Sequence, residues 1–304
     1  MTSLELPTVG HWSGREVRAL RTAQRLSVRD FATVVGVSPR AVSRWESGGD
    51  LLHPAPGNQA SLDAVLAQAG AVVQARFAQL VGVLTVEAPD DTLPARIVGE
   101  IDGRPMVLVP AGVFLCGPGK EPVRLAAFYI DVHPVTVGDF ARFVRQTGHR
   151  PPGAAPQPYL EPPSDDHPVT RVSWQDAVDY ASWAGKRLPT VREWEKAARG
   201  PGGNRYPWGD REINRGANTW ESFAGGTTPV TAHPEGASPY GVLDLVGNVW
   251  EWTATVTPDG DHLCRGGSFE MSSLRATTMA QFAAGADDRQ YDLGFRCAFT
   301  SRSG

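Results

Sequence analysis

Residues 26–48 read LSVRDFATVVGVSPRAVSRWESG, and this stretch decides the fold of the first part of the chain. Its apolar residues recur at helical spacing in two successive runs that meet at Gly36. Glycine there permits the left-handed backbone that a tight turn between two helices requires. Ser38 and Pro39 then begin the second helix, because serine caps a helix and proline suits its first position. The pattern predicts a helix-turn-helix.

The second of these helices, predicted at 38–47, has one buried face and one exposed face. Val42 and Trp45 fall on the inward face, which leaves the arginines on the outward face. Arginine pairs bidentately with the edge of guanine in a major groove, so Arg40 and Arg44 are the leading candidates for base contacts. The full set of predicted DNA-binding residues is Ser38, Arg40, Ser43, Arg44 and, on the preceding helix, Arg29.

The distribution of charge agrees with this interpretation. Between Arg15 and Glu46 there are seven arginines and three acidic residues, a local balance of +4, whereas the whole chain has a net charge of −4. A small basic segment on an otherwise acidic chain is what binding to phosphates requires. Double-stranded DNA is therefore the predicted partner of this segment.

The same segment resembles the recognition unit of XRE-family (Cro/C1-type) helix-turn-helix repressors, over roughly residues 13–70. Pro39 stands where many relatives carry a polar residue that reads DNA, so one base contact is expected to be absent. Such domains usually bind two half-sites as dimers, and we expect a homodimer. Apolar residues within 64–81 could form its interface or could pack on a second domain; they are Val65, Leu66, Val72, Val73, Phe77 and Leu80.

Length and composition predict a second domain. The chain has 304 residues, more than a single domain usually contains, and its glycines and prolines lie mostly after residue 100. The polar stretch around 87–91 predicts a linker at 82–96, between a helix-turn-helix domain at 1–81 and a loop-rich domain at 97–304. The sequence shows neither a signal-peptide pattern nor an apolar run long enough for a membrane, so we expect a cytoplasmic protein without a membrane partner.

Eight motifs follow the linker in order: VPAG at 109–112, FYID at 128–131, PV at 168–169 with VSW at 172–174, RLPTVREWEKAARG at 187–200, YPWG at 206–209, GVLDLVGNVWEWT at 241–253, RGGSF at 265–269 and LGFRCA at 293–298. Together they resemble the formylglycine-generating enzyme (sulfatase-modifying factor) family over about 95–300. The resemblance implies an α+β, C-type-lectin-like domain with little regular secondary structure. Amphipathic patterns at 137–147 and 174–185 predict its two helices.

Framework roles are expected for several residues of these motifs. We expect the tryptophans to build the hydrophobic core and three charged residues to form internal salt bridges. The tryptophans are Trp194, Trp208, Trp250 and Trp252, and the charged residues are Arg187, Glu193 and Glu195.

Copper chemistry is not expected, although the resembling enzymes use it. Their copper is held by two cysteines shortly after the RGGS-aromatic motif, and thiolates suit a cuprous ion. The corresponding positions here are Met271 and Ala276, so we predict a catalytically degenerate domain without copper. The three cysteines, Cys116, Cys264 and Cys297, are predicted to be reduced, buried thiols.

A structural calcium ion is implied by the same resemblance. The enzymes hold calcium around the GNVWEW motif, and the matching positions here are Asp244, Gly247, Val249 and Glu251. A weaker second site would use Asn218 and Thr219, but its aspartate is replaced near Ser222. No two histidines lie three or four residues apart, so the sequence offers no helical pair of metal ligands.

Three functional hypotheses follow. The leading one is a DNA-binding transcriptional regulator whose second domain senses a small molecule, peptide or partner protein; its predicted ligand pocket comprises Met271, Arg275, Asp287 and Arg289. The alternative is a non-copper oxygenase or oxidase that acts on a peptide or metabolite and uses DNA binding for autoregulation. A third hypothesis is a module that binds another protein through its lectin-like surface.

Overall fold

A computed structural model describes residues 12–49, 52–81, 93–150, 164–211 and 216–300. Within these ranges the chain forms two compact units. The first holds residues 12–81 together with 113–115 and 121–123, and the second holds the rest. Residues 82–92 of the predicted linker lie outside the described ranges. None of the described helices combines the length and apolar composition that crossing a bilayer requires.

The first unit contains the predicted helix-turn-helix. Its described helices are α1 (Gly14–Ala23), α2 (Val28–Val35), α3 (Pro39–Gly48), α4 (Pro56–Gln68) and α5 (Ala71–Leu80). The Ser27 side chain caps α2 by accepting the amide of Asp30, and Gly36 ends that helix in the left-handed conformation, with φ 80°. Ser38 caps α3, and Pro39 occupies its first turn. These local signals act as the sequence predicted.

The predicted dimer face lies largely inside this unit, so that prediction is wrong for most of its residues. The chain turns at Gly70, which divides the apolar run between α4 and α5. Leu66 and Phe77 are buried in the core, and Val65 and Val73 pack against it. Only two members of the predicted set, Val72 and Leu80, are exposed. Most of these side chains stabilise the unit itself, because turning α5 back gives them a partner within the same chain.

The remainder of the described chain is rich in loops and short strands. Its helices are α6 (Val137–Thr147), α7 (Trp174–Trp183) and α8 (Val191–Arg199). The strands of the described chain are β1 (Arg96–Val98), β2 (Pro105–Val109), β3 (Gly112–Cys116), β4 (Glu121–Leu125), β5 (Phe128–Asp131), β6 (Trp250–Val256), β7 (His262–Arg265), β8 (Gln281–Ala284), β9 (Leu293–Phe295) and β10 (Ala298–Phe299), of which β3 and β4 fall largely in the first unit. The predicted α+β class with little regular secondary structure is confirmed.

Two four-stranded sheets organise the second unit. One has the order β1-β2-β5-β10, and the other has the order β8-β7-β6-β9, in which β6 and β9 run parallel. Strands β3 and β4 pair with each other. The main core lies where α6 and α7 pack on the second sheet: Phe140 stacks on Tyr180, and Trp252 and Phe295 are fully buried beside them. This packing fixes β6, whose first residues line the site described below.

Candidate functional site

Helix α3 is held in place by an arginine clamp that the sequence did not reveal. The carboxylate of Glu46, at the buried end of α3, accepts hydrogen bonds from Arg21 of α1 through Nε at 2.6 Å and Nη2 at 3.0 Å. Arg18 donates to the backbone oxygen of Glu46 at 3.0 Å. Val42 and Trp45 pack in the core on the same side. The sequence offers one signal for this contact, because Glu46 falls at the helical spacing of the buried residues of α3.

The predicted DNA-binding residues share an exposed surface. Ser38, Arg40, Ser43 and Arg44 are all exposed on α3, and so is Arg29 on α2. Within the described residues, the guanidinium groups of Arg29, Arg40 and Arg44 make no hydrogen bond or ion pair. Arg40 and Arg44 are four residues apart and therefore lie about 6 Å apart along the helix axis. The surface presents unpaired cationic donors on a rigid helix, which suits a major groove.

A groove in the second unit is lined in part by residues of β6 and β8 and has a volume of about 790 Å³. Aromatic walls, two methionines and three charged residues line it. They include Trp220, Trp250 and Phe282, then Met271 and Met279, and then Glu270, Arg275 and Asp292. The prediction placed Met271 and Arg275 at a pocket, and the structure places both in this groove.

The other two residues of the predicted pocket lie outside this groove. Asp287 and Arg289 do not line the groove. The Arg289 guanidinium instead pairs with Asp176, the buried carboxylate at the start of α7, which also accepts His149 Nε2 at 2.9 Å. A buried carboxylate attracts the nearest guanidinium, and this pairing draws Arg289 away from the groove. Asp287 is exposed outside the groove.

The two positions predicted to replace the copper cysteines come together in space. A Cβ placed on Gly267 would lie 3.4 Å from Met271 Sδ and 3.0 Å from Ala276 Cβ, so the two side chains flank one point. Ala276 is buried in an apolar cluster against which Met271 packs.

Cys264 and Cys297 are buried as expected, whereas Cys116 is only partly buried. The part of the chain that the structure describes has no group of three His, Cys, Asp or Glu side chains able to hold a metal.

The predicted calcium site contains one side-chain oxygen that no described group satisfies. Asp244 is buried, its Oδ1 has no hydrogen-bond partner among the described residues, and burial raises its pKa to about 7. Glu251, by contrast, accepts Arg296 Nη2 at 2.7 Å, Arg296 Nε at 2.7 Å and Trp194 Nε1 at 2.7 Å. Asp244 Oδ1 is a hard oxygen ligand of the kind that suits calcium, whereas both carboxylate oxygens of Glu251 are held by Arg296.

The weaker second site has its polar groups engaged. Asn218 Oδ1 accepts the Ser222 hydroxyl at 2.7 Å, and Asn218 Nδ2 donates to the Gly226 oxygen at 2.9 Å. The Thr219 hydroxyl donates to Glu221 at 2.9 Å. Ser222 stands near the position where the resembling enzymes carry an aspartate, and its hydroxyl uses the oxygen that a cation would need. These contacts do not support a second ion.

Ion pairs join the predicted framework charges of the second unit. The predicted internal salt bridges are present: Arg187 pairs with Glu193 at 2.6 Å, and Glu195 pairs with Arg199 at 2.6 Å and with Arg265 at 2.8 Å. Trp194 and Trp252 are fully buried, as predicted for core residues. Trp208 and Trp250 are partly exposed, and Trp250 lines the groove.

Comparison with known proteins follows the division into two units. The profile of the "Sulfatase-modifying factor enzyme 1-like domain" matches residues 96–301, and a "Helix-turn-helix" profile matches residues 17–54. The chain is 33% identical to the "Formylglycine-generating enzyme" of Thermomonospora curvata, over 69% of this chain and 97% of that protein. It is 32% identical to the "Inactive C-alpha-formylglycine-generating enzyme 2" of Mus musculus, over 67% of this chain and 89% of that protein.

Solved structures share the fold of the second unit. PvdO from Pseudomonas aeruginosa matches with a TM-score of 0.59 and 22% identity, over 69% of this chain and all of that chain. Treponema denticola variable protein 1 matches with a TM-score of 0.55 and 18% identity, over 69% of this chain and all of that chain. With the profile match over most of its length, the chain belongs to the sulfatase-modifying factor family and carries a helix-turn-helix domain ahead of the family domain.

Proposed function

We propose that this protein is a sequence-specific transcriptional regulator in which the helix-turn-helix binds an operator and the second domain binds a ligand that controls it. The observation that carries the proposal is the contrast within the first unit. Arg21 of α1 pairs with Glu46 and so holds α3 in place. Arg40 and Arg44 of α3 are exposed and pair with no described residue. A rigid helix with unpaired arginines on its outer face supports readout of DNA.

The spacing of the two arginines suggests what they read. A separation of about 6 Å along α3 corresponds to roughly two base-pair steps of 3.4 Å. Because arginine prefers the O6 and N7 atoms of guanine, each half-site would contain two G·C pairs about two steps apart. A homodimer would bind two such half-sites about one helical turn apart.

Selection from a pool of random duplexes at moderate salt tests the proposal. We expect a motif with two G·C positions, and we expect Arg40→Lys and Arg44→Lys each to lose preference at a different one, since lysine keeps the charge but not the bidentate geometry. Arg145→Lys, on the exposed side of α6, is the matched control. A protein that selects no motif would refute the proposal. Stoichiometric iron or copper in the purified protein would instead support the oxygen-using enzyme considered from the sequence.

We also infer a calcium ion at Asp244. An unpartnered carboxylate oxygen in a buried position costs stability, and a divalent cation would offset that cost. Calcium should therefore raise the melting temperature of the wild-type protein and chelation should lower it. Asp244→Asn should remove the response, while Asp287→Asn, which changes an exposed carboxylate, should keep it. A calcium response that persists in Asp244→Asn would place the ion elsewhere.

A further inference from the structure

One carboxylate in the groove has no partner. Asp292 is only 8% exposed, and its side chain makes no hydrogen bond or ion pair with any described residue. Its carboxylate is not among the fully enclosed polar groups without partners, so it keeps access to solvent. Asp292 lines the groove, and its backbone oxygen accepts the amide of Trp250 at 2.8 Å, which holds the two residues together.

The other charged residues of the groove do not neutralise Asp292. Burial and the nearby Glu270 carboxylate raise the pKa of the Tyr291 hydroxyl. Arg275 is exposed and forms no ion pair with a described residue, Asp292 included. Two carboxylates and one guanidinium leave the groove with a net charge of −1. A buried, unpaired carboxylate in such a place attracts a cation that can donate hydrogen bonds.

Aromatic surfaces stand next to this carboxylate. Trp250 and Phe282 meet edge to face, with ring centroids 4.8 Å apart, and Trp220, which also lines the groove, is 60% exposed. Faces of this kind attract cations and also pack against apolar groups. The volume of about 790 Å³ is in the range of sites for small molecules.

We propose that the groove binds a small organic amine, whose ammonium group pairs with Asp292 and whose apolar body packs on Trp220 and Trp250. The inference rests on the proposed function, because it names the chemical class of the ligand that the second domain senses. Met271 lines the groove and packs against the apolar cluster that contains Ala276, so it offers an apolar contact to the uncharged part of the ligand.

Ligand-detected NMR titration of the full chain tests this class of ligand. The probes are benzylamine, 2-phenylethylamine and tryptamine, each compared with its uncharged counterpart: benzyl alcohol, 2-phenylethanol and tryptophol. At least one amine should bind about tenfold or more tightly than its alcohol, and Asp292→Asn should abolish that difference. Asp287→Asn, an exposed carboxylate outside the groove, should leave it unchanged. If no amine binds better than its alcohol, or if Asp292→Asn has no effect, the proposal is wrong.

Thermal unfolding gives a second readout that does not depend on choosing the right amine. Without ligand, Asp292→Asn should raise the melting temperature, because it removes an unpaired buried charge, whereas loss of a structural partner would lower it. A lower melting temperature would overturn the inference.

Gel shifts with and without the best amine keep the two proposals separate. Failure to bind any duplex refutes the proposed regulator, whereas DNA binding without amine binding refutes only the proposed class of ligand.

Discussion

The exposed arginines of the helix-turn-helix and the buried arginines of the second unit are used in opposite ways. In the helix-turn-helix, Arg29, Arg40 and Arg44 are exposed and pair with no described residue. In the second unit, Arg265 and Arg296 are almost completely buried and pair with Glu195 and Glu251. The same residue type therefore supplies a binding surface in one unit and a framework in the other. Burial, rather than local sequence, separates the two roles.

Loop-rich architecture explains why the second unit buries arginine. Loops leave backbone oxygens without strand or helix partners, and buried oxygens must be satisfied. Arg296 donates to the backbone oxygens of Asp131, Val132, Leu243 and Asp244, as well as to Glu251. The Arg296 guanidinium, with its five N–H donors, thus satisfies backbone oxygens that a helix or sheet would satisfy elsewhere. In the first unit helices satisfy most of the backbone, so although Arg18 and Arg21 donate to backbone oxygens, Arg40 and Arg44 remain exposed.

The largest expected effect is on the buried set. Arg296→Met should destabilise the second unit by about 3–5 kcal/mol, because it leaves Glu251 charged, buried and unpaired. Urea unfolding measures the change, and Arg275→Met should stay within about 0.5 kcal/mol of the wild type as the exposed control. Adding Glu251→Gln to Arg296→Met should recover part of the loss. Equal free energies of unfolding for Arg296→Met and Arg275→Met would contradict the inferred difference between buried and exposed arginines.

A smaller effect is expected from substituting the exposed arginines of the helix-turn-helix, and it concerns DNA binding rather than stability. Arg44→Ala should weaken binding to the selected operator by about 1–3 kcal/mol and relax preference at one base pair. Its melting temperature should equal that of the wild type, because Arg44 has no partner to lose. Fluorescence anisotropy on matched and mismatched duplexes measures both effects, with Arg145→Ala as control. Unchanged affinity would remove Arg44 from the reading surface.

The dependence of stability on pH sharpens the comparison through a histidine beside a buried arginine. Burial, together with the charge of Arg104, lowers the pKa of His133 to about 4 from an ordinary value of 6.5. The folded protein therefore holds His133 neutral while the unfolded chain takes up a proton, so stability should fall as the pH drops from about 6.5 to about 4. His133→Gln should reduce that slope in thermal unfolding measured across this range. An unaltered slope would show that the pKa of His133 is not lowered in the folded protein as inferred.

Sequence reasoning succeeded where a signal is local. Ser27, Gly36, Ser38 and Pro39 each fix a helix end through neighbours a few residues away, and the structure confirms these boundaries. Helix α6 likewise has the predicted bounds of 137–147. Such signals act within one or two turns, so the linear pattern contains the whole interaction.

Errors arose where the partner is distant in sequence. The Arg21–Glu46 clamp joins residues 25 positions apart, and Arg289 pairs with Asp176 across 113 positions. Nothing near Arg289 in the sequence indicates that pairing, so placing it in the ligand pocket followed proximity along the chain alone. The supposed dimer face failed for a related reason, since the turn at Gly70 gives α5 a partner within its own unit.

The sequence by itself determined the helix-turn-helix, the family of the second domain and the exposure of Arg40 and Arg44, because helical periodicity and capping residues state which face is buried. Only the tertiary structure decided which arginines have partners and which carboxylates lack them. The groove around Asp292 is assembled from Trp220, Trp250 and Phe282, residues that lie far apart along the chain. Whether a charge is paired depends on such long-range neighbours, and chain folding alone brings them together.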